Sequence, residues 1–455
     1  MRILYISFGY RPYWSGGMVR NQIGLMKNLQ AMGHQLSYFT ACRYDLRNKP
    51  YLRSRKIEGL TAIELVNSPN LYDPYCYRTN PESHCSDVAV ETLTEKVVNS
   101  VRPDIVHISD MRMQCASIIA LIRRRGIPVV KTFHNYWDLC PKSDLLFDDK
   151  ELCSDIANGA KCLICLSRYE SGGIPFMHRV KGSIPYEYLF PLVSRLGGLK
   201  KAMGRRRDSD CKPVDFSAKA YLNRRNYFID MLNSCSAIHT TSRSVGKLIH
   251  GYGIDVRRVN VISLSAEGLS EIAAKPDHTG KLPITFGYRG RLHSRKGINV
   301  LLDAFSHLDQ GKCRLLVYGD GNRNIMGPFL NCGLNIEYRG SYVPEEVNDK
   351  LEEIDVGIVP SIWEEIFGIV GLEYLNARIP VIASNIGGIS EWLKEGRNGY
   401  LFPPGNTGAL TKAMNKFIEE PKLVLHLQRR MNPWKSVRTY AAEISQLYEK
   451  VLNGT

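Results

Sequence analysis

The sequence predicts an α/β protein made of two doubly wound parallel-sheet domains. Three observations carry this reading. The chain has 455 residues, more than one hydrophobic core usually supports. Short apolar runs alternate with helically spaced ones in both halves, the pattern of parallel strands covered on both faces. A polar stretch, residues 265–282, carries Pro276, runs up to Pro283 and separates the two series.

The first series opens with an apolar strand over 1–7. A loop then leads to Gly16-Gly17, and Val19, Ile23, Met26 and Leu29 follow at helical spacing. Gly33 ends that helix, and 36–40 is a second strand. Helix 86–100 leads through Pro103 to strand 104–108, and helix 114–125 leads to strand 127–133. Residues 138 to about 220 interrupt the rhythm as an insertion, after which 223–232 and 237–242 resume it. The second series has strands near 284–288, 313–318, 336–338, 355–360 and 379–383, with helices at 297–306 and 368–377. The expected domains are therefore 1–264, a linker at 265–282, and 283–430. Such sheets bind ligands beyond the carboxyl ends of their strands.

Composition narrows the class. With 44% hydrophobic and 23% charged residues the chain is globular, neither disordered nor collagen-like. No run reaches the ~20 apolar residues of a membrane span, and the apolar start is too short for a signal peptide, so a cytoplasmic protein is expected. The formal charge of +15 favours anionic partners: nucleic acid, headgroups or phosphorylated small molecules. Twelve cysteines are too few for a disulfide scaffold, so clustered ones read as a metal site.

Gly16-Gly17 lies between strand and helix, where backbone can approach a ligand and helix N–H groups can face an anion; an ordinary βα turn fits equally. Arg289, Arg291, Arg295 and Lys296 leave a strand end and enter a helix, a position suited to neutralising a diphosphate. The segment from Pro360 to Glu373 is the most specific. Its Glu365 and Glu373 stand eight residues apart, the first in a post-strand loop and the second in the following helix. Both carboxylates can accept hydrogen bonds from sugar or ribose hydroxyls, and Gly368 permits close backbone contact.

This segment resembles the E-x7-E signature of the retaining GT4 glycosyltransferases, which share the two-domain GT-B fold. The likeness continues through Gly16-Gly17, residues 103–107, His134, Gly290-Arg291 with Lys296-Gly297, residues 319–321, 380–383 and 396–404. It implies that Arg291 and Lys296 bind the donor diphosphate and stabilise the leaving nucleoside diphosphate, with Gly16 and Gly17 approaching it from the other domain. Glu373 would hold the ribose. Glu365 and the backbone of Phe367, Gly368, Ile369 and Val370 would hold the donor sugar. His134 matches the histidine near the transferred sugar, although a core histidine at a strand end is the alternative. The implied donor is a UDP- or GDP-sugar, with no catalytic metal. The implied acceptor is a glycan or lipid-linked molecule in cell-surface polysaccharide, capsule or lipopolysaccharide synthesis. The tail, 432–452, would form a helix crossing back to the first domain. Arg378 departs from the family pattern and either alters the pocket edge or sits on a surface turn.

Within the insertion, Cys140, Cys153, Cys162 and Cys165 have the pattern C-x12-C-x8-C-x2-C, which suits a tetrahedral four-thiolate structural zinc site. It resembles a cysteine-bearing insertion of a subset of these transferases; unligated thiols or an iron–sulfur cluster are the alternatives. Lys200, Lys201 and Arg205 to Arg207 form a basic cluster, with Lys212, Lys219, Arg224 and Arg225 nearby. It suits either peripheral attachment to an anionic membrane surface or a solvated loop. Two other functions compete: a zinc-dependent nucleic-acid-binding protein, which leaves the E-x7-E segment unexplained, and a nicotinamide oxidoreductase, against which the missing GxGxxG weighs. No nucleic-acid partner is expected on the leading reading.

Overall fold

The computed structural model describes residues 1–11, 14, 16–45, 47, 49–70, 80–168, 183, 217–330, 332–341 and 346–454. The basic run at 200–212 lies outside the described residues. The chain forms two compact units, one of residues 1–240, 246–262 and 441–455, the other of 241–245 and 263–440. Among the described residues no helix is long and apolar enough to cross a membrane.

The strands of the first unit are β1 (Arg2–Ser7), β2 (Gln35–Arg43), β3 (Tyr51–Ile57), β4 (Leu60–Val66), β5 (Ile105–Ile108), β6 (Val129–Thr132), β7 (Leu146–Phe147), β8 (Glu151–Leu152), β9 (Ala237–Thr240) and β10 (Val259–Val261). Eight make one sheet in the order β10-β9-β6-β5-β1-β2-β4-β3, and β7 pairs only with β8. β1 is central and parallel to both β2 and β5. Its Ile3, Leu4, Tyr5 and Ile6 are fully buried because helices cover both faces. Among the described residues, the one antiparallel pairing in the large sheet is β3 with β4. There Arg53, Arg55 and Lys56 line the edge strand, a charge pattern that blocks further strand addition.

A chain of polar groups crosses the interior of this sheet. The Tyr448 hydroxyl pairs with His107 Nδ1. His107 Nε2 lies 2.7 Å from Thr132 Oγ1, which lies 2.9 Å from His239 Nδ1, and His239 Nε2 donates to the Ile262 carbonyl at 2.7 Å. Tyr448 belongs to the final helix, Val437–Leu452, whose residues from Ala441 onward group with the first unit.

The second unit contains β11 (Ile284–Arg289), β12 (Cys313–Tyr318), β13 (Ile336–Gly340), β14 (Val356–Val359), β15 (Val381–Ser384) and β16 (Gly399–Phe402). All pairings are parallel, in the order β13-β12-β11-β14-β15-β16. Connections run outward in both directions from the β11/β14 boundary, so a crevice opens above those two strands. Phe286, Phe305 and Phe417 are fully buried in the core on one face. The 265–282 segment belongs to this unit, where Lys275 Nζ donates to the Ile354 carbonyl at 2.6 Å and pairs with Asp355 at 3.1 Å. Arg378 packs on the same segment, 3.2 Å from Asp277, and its Nε donates to the Gln428 carbonyl at 3.3 Å.

Candidate functional site

In the second unit the loops after β11 and β14 flank the switch in strand order, and they carry most of the residues singled out above. Gly297 ends the first loop at φ 71°, and a Cβ there would lie 1.6 Å from the Pro360 carbonyl oxygen. Only glycine lets the two loops meet at this point. The Ile362 N–H also donates to the Arg295 carbonyl at 3.0 Å.

The result is a joint between two of the predicted residues. Glu365 Oε2 accepts from Lys296 Nζ at 2.8 Å, from Trp363 Nε1 at 2.8 Å and from Ser361 Oγ at 3.0 Å. The carboxylate is buried, while the Lys296 side chain is 29% exposed and lies 4.9 Å from the Trp363 ring centre. Lys296 is thus held at one end by an anion while retaining access to solvent. Arg291 is exposed, and its backbone carbonyl is fixed by the Tyr288 hydroxyl at 2.7 Å.

Gly368, at φ 75°, caps the helix Ile369–Asn376 without a side-chain hydrogen bond. No acidic residue lies in its first turn, so the N–H groups of Ile369 and Val370 face a region suited to anionic or hydroxyl oxygens. The loop before it is braced by Trp392 Nε1 donating to the Phe367 carbonyl at 2.6 Å and by Thr241 Oγ1 donating to the Ile366 carbonyl at 2.8 Å. Glu373 is buried in that helix and forms an ion pair with Arg289 at 2.9 Å. Arg289 is the last residue of β11, so this pair links the end of β11 to the helix that follows β14.

In the first unit the corresponding loops follow β1, β5 and β6. Gly16 precedes the helix Gly17–Ala31 at φ 120°, again without a side-chain cap, and a Cβ there would meet nothing within 4 Å. The space beside Gly16 is open. The preceding loop is anchored by buried Gln22, which accepts from Ser7 and donates to the Gly9 carbonyl at 2.9 Å.

His134 follows β6. Its Nε2 is covered and has no hydrogen-bond partner among the described residues. Burial first, then the charges of His239 and Lys131, pull its imidazole down to about 3, so it is neutral near pH 7. Asp110, after β5, is buried and paired with Arg112 at 2.8 Å, and it accepts from Asn135 Nδ2 at 2.8 Å. Burial raises the Asp110 carboxyl, but the charge and hydrogen bonds of Arg112 outweigh it and leave it below the ordinary value. Arg112 stacks 4.1 Å from the Phe8 ring centre and reaches Met18 Sδ at 3.6 Å, tying the β1 and β5 loops together. Asp110, Arg112, Asn135, Gln22 and the partnership of Arg289 are absent from the sequence reading. Asp110 and Arg112 meet locally, two residues apart, whereas Asn135 reaches Asp110 through the pairing of β5 with β6, and Arg289 reaches Glu373 through that of β11 with β14.

The four cysteines line one small cavity. Among the described residues no group of three or more His, Cys, Asp or Glu is arranged to hold a metal ion.

Residues 271–433 match the family described as Glycosyl transferases group 1, and residues 15–172 match Glycosyltransferase Family 4. The chain is 27% identical over 206 residues to a D-inositol 3-phosphate glycosyltransferase of Rhodococcus opacus, a match covering 40% of this chain and 45% of that relative. A phosphatidyl-myo-inositol mannosyltransferase of Mycobacterium leprae is 30% identical over 205 residues, covering 42% and 52% of the two chains. The matched region therefore spans about half the length of these relatives. Among solved structures, Anabaena HepE in complex with UDP shares the fold at a TM-score of 0.59 and 14% identity, covering 99% of this chain and 100% of that one. With a glycosyltransferase family match in each unit and two doubly wound sheets, the chain has the GT-B fold and is similar to the GT4-type glycosyltransferases.

Proposed function

We propose that the protein is a retaining glycosyltransferase that moves a sugar from a nucleoside-diphosphate donor to a hydroxyl of a glycan or lipid-linked acceptor. The observation that carries this reading is the Lys296–Glu365 joint at 2.8 Å, set beside the uncapped helix start at Gly368 and above the switch in strand order. A cation anchored on one carboxylate and reaching solvent suits a diphosphate. Arg291 supplies a second cation, Glu373 the ribose contact, and Glu365 with the backbone from Phe367 to Val370 the sugar contacts. Gly16, Gly17 and neutral His134 serve the diphosphate and the reacting sugar from the first unit. UDP in the HepE complex supports a uridine or related nucleotide.

The bond between the anomeric carbon and the phosphate oxygen breaks with its electron pair on that oxygen. Arg291 and Lys296 stabilise the charge collecting there. The acceptor oxygen bonds to the anomeric carbon on the same face, and its proton passes to the departing phosphate. Neither glutamate is assigned as nucleophile: the three donors to Glu365 all reach Oε2, which leaves Oε1 to accept from a sugar hydroxyl, and Glu373 is held by Arg289 within the helix. Relatives named for phosphatidyl-myo-inositol and lipopolysaccharide favour a surface-glycan or lipid-linked acceptor.

A panel of nucleotide sugars tests the reading by thermal stabilisation and by release of nucleoside diphosphate. One donor should raise the melting temperature and be turned over with the anomeric configuration kept. Stabilisation by nicotinamide dinucleotides alone, or saturable nucleic-acid binding without sugar turnover, would overturn it.

A further inference from the structure

The cysteine segment forms a small module of its own. β7 and β8 make a two-stranded hairpin, and the helix Ala160–Arg168 follows. Cys140 precedes the hairpin, Cys153 ends it, and Cys162 and Cys165 lie one turn apart on the helix, on the same face. The four side chains line a cavity of about 20 Å³, room for a single small ion or one water. All four are free thiols. Arg225, Lys161 and Lys142 line the same cavity, and Lys142 is also paired with Asp149 at 2.7 Å. Thiols need no such cations, whereas four thiolates around a divalent ion carry net negative charge that these groups would balance.

The sulfurs are not yet arranged around a point. Cys153 Sγ donates to the Asp155 carbonyl at 3.5 Å and Cys165 Sγ to the Leu146 carbonyl at 3.7 Å. Both contacts are weak, and metal binding, which takes the proton from each thiol, would cost only these two bonds.

The module also holds the segment that begins at His134. Arg225 Nε donates to the Leu139 carbonyl at 3.1 Å, and Arg224 Nη2 to the Trp137 carbonyl at 2.7 Å. The Tyr252 hydroxyl donates to the Cys153 carbonyl at 2.7 Å. Cys140 is therefore the far anchor of the stretch carrying His134 and Asn135, and whatever fixes Cys140 fixes that stretch.

We infer that Cys140, Cys153, Cys162 and Cys165 bind one structural zinc ion that pins the loop from His134 to Cys140. With four thiolates the ion has no open position for chemistry, so it acts through the loop. This inference stands whether or not the sugar-transfer reading holds.

The full chain, purified without chelator, should contain one equivalent of zinc by mass spectrometric metal analysis. Cobalt exchanged into the site should show the charge-transfer absorption of a tetrahedral thiolate complex. Cys162→Ser and Cys165→Ser should lose the metal, while Cys313→Ser, in the second unit, should keep it. Removing zinc from the wild type should speed hydrogen exchange over 134–145 and leave the β11–β16 sheet unchanged. No stoichiometric zinc in protein purified without chelator, zinc retained in Cys162→Ser, or cobalt bound without thiolate absorption would each overturn the proposal. The wild-type cobalt spectrum keeps the test decisive if the serine variants fail to fold.

Discussion

Arg289 and Glu373 form an ion pair of 2.9 Å with both side chains almost wholly out of solvent. The first ends β11 and the second lies in the helix after β14, so the pair holds together the two elements on either side of the crevice. A buried pair adds little net stability over an apolar one, but removing one partner is costly. Glu373→Gln should therefore destabilise the fold by about 3 kcal/mol, read by urea denaturation. The double variant Arg289→Met, Glu373→Gln should recover much of that loss. Equal stability of the single and double variants would show that the pair has no such coupling.

Lys296 differs because its side chain is partly exposed. Lys296→Met leaves the buried Glu365 carboxylate with its two neutral donors and should cost about 1–3 kcal/mol, yet lower sugar-transfer turnover about 100-fold or more. Steady-state rates with the accepted donor, alongside a melting curve, separate the two effects. Arg291→Ala, at an exposed position, should lower turnover with a change in stability within about 0.5 kcal/mol.

Two glycines offer a contrast. Gly297→Ala would place a Cβ 1.6 Å from the Pro360 carbonyl oxygen at a φ of 71°, so misfolding or a loss of several kcal/mol is expected. Gly16→Ala meets nothing within 4 Å and carries only the strain of φ 120°, a cost of roughly 1–3 kcal/mol. If a ligand approaches Gly16, this variant should lose donor affinity beyond what its melting temperature explains. Unchanged affinity would leave Gly16 as a turn residue alone.

His134 makes stability depend on pH in a definite direction. Its folded value near 3 lies below the ordinary 6.5, through burial and then the charges of His239, Lys131 and Arg112, with Asp110 opposing them. The unfolded chain therefore takes up the proton first as pH falls. Stability from the neutral ring is complete above pH 6.5 and is lost as pH drops toward 3, by up to about 1.4 kcal/mol per pH unit. His134→Gln should flatten the fall in urea midpoint between pH 6.5 and pH 5. An unchanged slope would place the effect on other groups, such as His107, whose value burial also depresses.

The apolar runs that became β1, β5, β11 and β15 were legible because strands buried on both faces leave continuous hydrophobic segments. The β3–β4 hairpin was not: β3 reads Tyr-Leu-Arg-Ser-Arg-Lys-Ile, polar along one edge, and its turn rests on Glu58 and Gly59 at positive φ. Glu365 and Lys296 were both legible as candidates, but their contact was not, since 69 residues separate them. Asn135 joins Asp110 and Arg112 in the same way, from 25 residues away. Parallel sheets place loops side by side that lie far apart in sequence, and periodicity carries no record of that order.

The polar chain through the first sheet has a polarity of its own. The Ile262 carbonyl can only accept, so His239 must carry its proton on Nε2 and present a bare Nδ1 to Thr132. The single hydroxyl proton of Thr132 is then committed, His107 must donate from Nε2, and Tyr448 must donate to His107 Nδ1. One backbone oxygen thus dictates the tautomer of two histidines and the rotor of a tyrosine on the last helix. The final helix is held in an ordered sequence of protons: a proton added to His107 would turn Tyr448 from donor to acceptor, and one added to His239 would displace the hydroxyl proton of Thr132 from its acceptor.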